Sequence, residues 1–175
     1  MKPILDLKND LVFKAVFSRE EDPTSRKLLI HLVNLVLKRE KDPVTDIEYR
    51  NPFTINDRID TKAAIFDIKA TTNSGEIIDL EMQMKTYRDF PKRIFFYFCK
   101  LQSDSLQSGK KHGTMNPARV ICFVNGVQFP EYESYCSSYT LMEETNHVPM
   151  YIGAGSIHFT LLTQRLPSKA KAKLM

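Results

Sequence analysis

Cysteine is scarce in this chain: the three present, Cys99, Cys122 and Cys136, are odd in number and show no C-x-x-C spacing. That argues against a disulfide framework and a structural zinc site, and it points to a reducing, cytoplasmic location with the thiols as packing residues. Long hydrophobic runs are missing as well. The longest, Leu28 to Leu37, is broken by His31 and Asn34 and falls far short of the roughly 20 apolar residues that cross a bilayer. The start of the chain mixes Lys2, Asp6, Lys8 and Asp10 with apolar residues and so lacks the apolar core of a secretory signal. Neither membrane insertion nor export is expected. There is no internal repeat, no G-x-x-x-x-G-K, G-x-S-x-G or H-E-x-x-H motif, and no metal-ligand spacing among His31, His112, His147 and His158. Gly153-Ala154-Gly155 lacks the strand-to-helix context of a dinucleotide loop and reads as a turn, so no nucleotide cofactor is expected.

What is present suits one compact domain: 175 residues, 42% hydrophobic and 26% charged. The formal charge of +4 comes wholly from Arg165, Lys169, Lys171 and Lys173, which leaves residues 1–163 neutral. The chain therefore divides into a domain over 1–163 and a basic tail over 164–175. Within the domain, eight basic residues face only Asp89 and Asp104 between Lys85 and Arg119, and an acidic stretch follows at Glu131, Glu133, Glu143 and Glu144. The basic segment suits phosphate binding and equally a solvated helix face.

Asp10 to Ser18 has a short helical pattern. Asp22-Pro23 then reads as an N-cap with proline in the first helical position, opening a helix to about Arg39 that Asp42-Pro43 ends. A short strand is expected near Ile47 to Tyr49. Lys62 to Ala70 and Glu76 to Lys85 read as two strands joined by the turn Thr71-Thr72-Asn73-Ser74-Gly75. Alternation sets Ile78, Leu80, Met82 and Met84 against Asp79, Glu81, Gln83 and Lys85, and Phe66, Ile68 and Ala70 against Asp67 and Lys69. Phe90-Pro91 opens a long helix to about Ser108, with Gly109 as its C-cap and Ile94, Tyr97, Phe98 and Leu101 as its buried stripe. Val120 to Val124 has the apolar run of a buried central strand, and Ile157 to Leu162 suggests another. The order of elements predicts an α/β structure with helices flanking a mixed sheet.

Asp67, Glu81 and Gln83 stand on polar faces of adjacent strands, so their side chains can converge. Carboxylates with a strand carbonyl make the hard oxygen cage of Mg²⁺ or Mn²⁺, which suits phosphodiester hydrolysis. A lysine or glutamine two residues after the second acid lies on the same face, where it can position water. Gln83 holds that place. Alternating acids are also what the solvated face of any amphipathic hairpin looks like, and spacing alone does not separate the two readings.

Three ordered blocks bear on that choice. Leu7-Lys8-Asn9-Asp10-Leu11-Val12-Phe13-Lys14-Ala15-Val16-Phe17 comes first. Lys62 with Phe66-Asp67-Ile68-Lys69-Ala70, Gly75 and Leu80-Glu81-Met82-Gln83 is second, and Phe90, Arg93, Tyr97 and Gly109 form the third. Over about residues 5 to 163 the chain resembles the transposase-associated branch of the PD-(D/E)XK nuclease superfamily. The resemblance implies a restriction-endonuclease-like mixed sheet flanked by helices and a metal-dependent DNA endonuclease linked to transposition or recombination. Asp67 and Glu81 would be the metal ligands, Gln83 would replace the superfamily's lysine, and Asp10 would be a further acid. Arg93, Lys62 and Lys100 would meet DNA phosphates, and double-strand cutting would favour a homodimer. The sequence departs from the family at His112, where a tyrosine is usual, and at Pro167 to Lys173, where the chain reads as a shortened copy. Two rival readings are an inactive relic that keeps the fold, and a protein-interaction module presenting Glu131 to Glu144 with Tyr132, Tyr135 and Tyr139.

Overall fold

The protein is described by a computed structural model over residues 6–53, 64–106, 109–130, 134–151 and 155–162. Helix α1 (Asp10–Phe17) begins where the Asn9 side chain accepts the Leu11 and Val12 amides at 3.0 and 3.3 Å, satisfying donors that have no partner within the helix. Helix α2 (Pro23–Leu37) opens as the sequence predicts, with Asp22 accepting the Thr24 amide at 2.8 Å. It stops before Arg39 and well before Asp42-Pro43, because Lys38 adopts a left-handed conformation, φ 52°, and ends it.

Six strands form one sheet: β1 (Ile47–Arg50), β2 (Ile68–Thr72), β3 (Ile77–Gln83), β4 (Ala118–Val124), β5 (Cys136–Thr140) and β6 (Ser156–Leu161), ordered β1-β2-β3-β4-β6-β5. The pairs β1·β2, β2·β3 and β5·β6 are antiparallel, whereas β3·β4 and β4·β6 are parallel. Helix α3 (Phe90–Asp104) supplies the crossover that the parallel β3·β4 pair requires. This is the α/β mixed sheet flanked by helices that the sequence predicts.

The central strands of the sheet are buried on both faces. Ile68, Ala70, Ile78, Leu80, Ile121 and Phe123 pack against Phe13 and Phe17 of α1 and Leu29 and Val33 of α2. On the other face Val120, Cys122, Val124 and Phe159 meet Phe90, Ile94, Phe98 and Leu101 of α3. Each of the valine, leucine, isoleucine and phenylalanine side chains here contributes roughly 1.5–3 kcal/mol when fully buried. The central β4 is apolar on both faces, and that is why it reads as a nearly continuous apolar run.

Several local expectations are corrected. Strand β2 begins at Ile68, after a bend at Asp67 that turns Phe66 onto the α3 face, away from Ile68 and Ala70. Strand β3 ends at Gln83, leaving Met84 exposed. Helix α3 ends at Asp104: the Ser105 hydroxyl donates to the Gln102 carbonyl at 2.7 Å, and Gln102 turns its own amide toward β4. Gly109, at φ 78°, serves a later turn and is not the C-cap. Strand β5 escapes the sequence reading because this edge strand, Cys-Ser-Ser-Tyr-Thr, has no apolar alternation. In it Tyr139 packs on Phe159 at 5.8 Å, so it is not available as an exposed partner-binding aromatic. Lys62, Tyr132, Gly153 and the tail lie outside the described residues. Among the described residues no helix is long and apolar enough to cross a membrane.

Candidate active site

Antiparallel pairing of β2 with β3 sets Ile68 opposite Leu80, which brings Asp67, one residue before β2, beside Glu81. Two backbone amides lock the carboxylates together. Asp67 N–H donates to Glu81 Oε1 at 3.0 Å, and Met82 N–H donates to Asp67 Oδ2 at 2.9 Å. The other oxygen of each acid faces a cation. Lys14 Nζ, from α1, lies 2.7 Å from Asp67 Oδ1, and Arg93 Nη2, from α3, lies 3.8 Å from Glu81 Oε2.

The pair does not sit on an open sheet surface, as a solvated hairpin face would. Glu81 exposes 4% of its side chain and Asp67 17%, because α3 crosses this face with Tyr97 edge-on to Phe66 at 5.4 Å. Burial first, then the neighbouring Asp67 charge, push the Glu81 carboxyl up to about 8. For Lys14, burial acts to lower the pKa, but the hydrogen bond and charge of Asp67, with Glu81 and Asp10 behind it, raise it.

Asp79 lies two residues before Glu81 on the same strand face. It is fully buried, and among the described residues neither of its oxygens has a hydrogen-bond partner. Burial, then the charges of Glu81 and Asp67, hold its carboxyl well above the ordinary range. Sequence reasoning placed Asp79 on the polar face without singling it out, although its spacing from Glu81 was the available signal. Lys14 was missed as a site residue for a different reason: no local pattern connects it with the hairpin.

Gln83 is held at both ends of its amide. Oε1 accepts from Arg93 Nη2 at 2.9 Å, and Nε2 donates to the Lys85 carbonyl at 2.6 Å. The Arg93 guanidinium in turn lies over Phe90 at 5.0 Å and over Tyr87 and Tyr97, each at 5.6 Å. Arg93 therefore ties α3 to β3, joining two of the sequence-predicted residues. The described contacts do not bring Asp10 to the carboxylates: it is exposed and accepts the Leu11 amide at 2.9 Å, one turn before Lys14. Lys100 lies two turns beyond Arg93 on α3, partly exposed and with no ion pair among the described residues.

Asp67 Oδ1 and Glu81 Oε2 are the oxygens that would hold a cation. Among the described residues no three His, Cys, Asp or Glu side chains are placed to share one ion. Two carboxylates suit a hydrated cation such as Mg²⁺, which keeps several waters and takes phosphate oxygens, better than the closed four-ligand cage of structural zinc. A family model described as PD-(D/E)XK nuclease family transposase matches residues 7–168. No curated protein and no solved structure matches the chain significantly.

Proposed function

The chain belongs to the PD-(D/E)XK nuclease family transposases, and from that membership we propose that it is an endonuclease hydrolysing DNA phosphodiester bonds with Mg²⁺ or Mn²⁺ in transposition or recombination. Nucleases of this family generally use divalent metals, and a transposase of this family would bind DNA. The observation that carries the reading is the Asp67–Glu81 pair: one oxygen of each acid is fixed by a backbone amide, and the other is directed at a cation. A divalent ion held there supplies Lewis acidity toward water and neutralises charge on the phosphate.

Gln83, with both ends of its amide engaged, keeps one N–H and one carbonyl lone pair to orient a water. Arg93 is a positioning residue for Gln83, stiffened by the three aromatic rings around it. Lys100 on α3, with Lys62, would meet the DNA backbone. Cutting both strands would call for two copies related by a twofold axis, and a DNA target agrees with a cytoplasmic location.

The test is supercoiled plasmid incubated with the purified full chain and Mg²⁺, Mn²⁺ or EDTA, beside Asp67→Ala and Glu81→Ala. Nicking is expected with either ion, none in EDTA, and a loss of roughly 10²–10³-fold or more in each variant. Cooperative unfolding of both variants would show that the loss is not a folding defect. A folded wild-type chain that binds plasmid but leaves it intact with both ions would identify the inactive relic instead.

A further inference from the structure

We infer that Lys14, on the first helix, is a catalytic residue of the Asp67–Glu81 site: its ammonium contacts the phosphate under attack and supplies the positive charge that neutral Gln83 cannot. This rests on the nuclease reading above and adds a residue to it. Hydrolysis of a phosphodiester builds negative charge on the non-bridging oxygens, and a cation aimed at them stabilises the transition state more than the ground state. Two cationic side chains touch the carboxylate pair, and their surroundings separate their roles. Arg93 is bound to Gln83 at 2.9 Å and lies over Phe90 at 5.0 Å, so swinging toward a substrate would break the interaction that orients the amide.

Among the described residues Lys14 pairs with Asp67 alone; its side chain is 38% exposed, much as Arg93 is at 35%, but it has no amide or ring partner there to hold it in place. Its backbone is nonetheless anchored, since Phe13 beside it packs on Phe123 at 5.7 Å and on Phe17 at 4.8 Å. The arrangement is a fixed helix carrying a long, half-buried side chain whose ammonium meets the edge of the acid pair at Asp67. Asp67 Oδ2 is taken by the Met82 amide, so Lys14 rests on the oxygen that a divalent ion would use. With a divalent ion on that oxygen, the Lys14 ammonium would be released from the carboxylate and free to meet a phosphate oxygen. In the reaction a water oxygen bonds to phosphorus and releases one proton to solvent, the bridging ester P–O bond breaks, and the leaving alkoxide takes up one proton from solvent. One water is consumed per bond, and Lys14 remains an ammonium throughout.

The test compares the full-length wild type with Lys14→Met, Lys14→Arg and Asp67→Asn. Mn²⁺ affinity is measured by calorimetry without DNA, affinity for an uncleaved duplex is measured in Ca²⁺, and single-turnover nicking is measured at saturating DNA and Mg²⁺. Lys14→Met should keep Mn²⁺ affinity or tighten it, bind the duplex about tenfold more weakly, and nick roughly 10²–10³-fold more slowly. Lys14→Arg should recover nicking to within about tenfold of wild type, since it keeps the charge. Equal duplex affinity in Lys14→Met overturns the proposal without requiring any turnover. So does a normal nicking rate, a tenfold loss of Mn²⁺ affinity that would make Lys14 only a support for Asp67, or an arginine variant no faster than the methionine one. An Asp67→Asn protein that still nicks normally would instead remove the metal–carboxylate reading itself.

Discussion

Asp79 is taken out of water with no hydrogen bond in return among the described residues, and the neighbouring Glu81 and Asp67 make its ionised form still less favourable. The folded carboxyl therefore keeps its proton at pH values where the unfolded one, near 3.8, has lost it. Stability contributed by this group is present below that value and declines as pH rises toward the raised folded pKa. Asp79→Asn removes the ionisation while keeping the shape. We expect it to raise unfolding stability at pH 8, read as a higher urea midpoint; an unchanged or lower midpoint would mean that the carboxylate has support from its surroundings after all. Alternation along β3 makes Asp79, Glu81 and Gln83 legible as one face, but it says nothing of what covers that face.

At the scale of elements, α3 packs closely on the starts of β4 and β6 at Gly155. A Cβ on Gly155 would lie 2.6 Å from the Ala118 carbonyl oxygen, 2.6 Å from the Phe98 ring and 2.7 Å from Gln102 Oε1. That same Gln102 oxygen accepts the Ala118 amide at 3.0 Å, and its Nε2 donates to the Asn116 carbonyl at 2.8 Å, so the side chain cannot retreat without freeing two backbone groups. Gly155→Ala should destabilise by about 3 kcal/mol, seen as a Tm lower by roughly 6–12 °C. A shift under about 2 °C in a scanning calorimeter would show that α3 can move aside. The sequence suggested a turn around this glycine, but the requirement for glycine at 155 belongs to an approach between helix and strand that no local pattern records.

Across the whole molecule the two ends of the parallel β3·β4 pair carry different chemistry. Glu81 and Gln83 stand toward the C-terminal end of β3. Near the opposite end Glu76 is held between Arg39 and Arg119, the latter at 3.0 Å. From there Arg119 Nη1 donates to Ser156 Oγ at 2.8 Å, and the Ser156 and Ser138 hydroxyls flank His158 at Nε2 and Nδ1, at 2.7 and 2.9 Å. Burial, then the Arg119 charge, push the His158 imidazole down to about 4 from its ordinary 6.5. The unfolded chain takes up this proton as pH falls through 6.5, while the folded chain resists until about 4, so stability is full above 6.5 and is lost between those values. The loss should be on the order of 2 kcal/mol once screening of the partly exposed ring is allowed for. Urea titrations at pH 7 and pH 4.5 measure it, and His158→Gln should flatten the difference; an identical slope in that variant would place the acid sensitivity elsewhere.

Periodicities and caps act over a few residues, and this is the range the sequence determined. The Asp22-Pro23 helix start, the doubly buried β4, the stripe of α3 and the shared face of Glu81 and Gln83 are all set by neighbours within a turn or two of chain. The ordered blocks around Asp10, Asp67–Gln83 and Arg93 carried the family resemblance, because their order and separation survive in one dimension. Only the tertiary structure decided that the bend at Asp67 turns Phe66 to the opposite face, that α3 buries Glu81, and that α1 delivers Lys14 to Asp67 at 2.7 Å. Each of these depends on packing between segments far apart in the chain, where the energy comes from excluding water from both partners at once. A pattern read along one strand contains only half of that interaction.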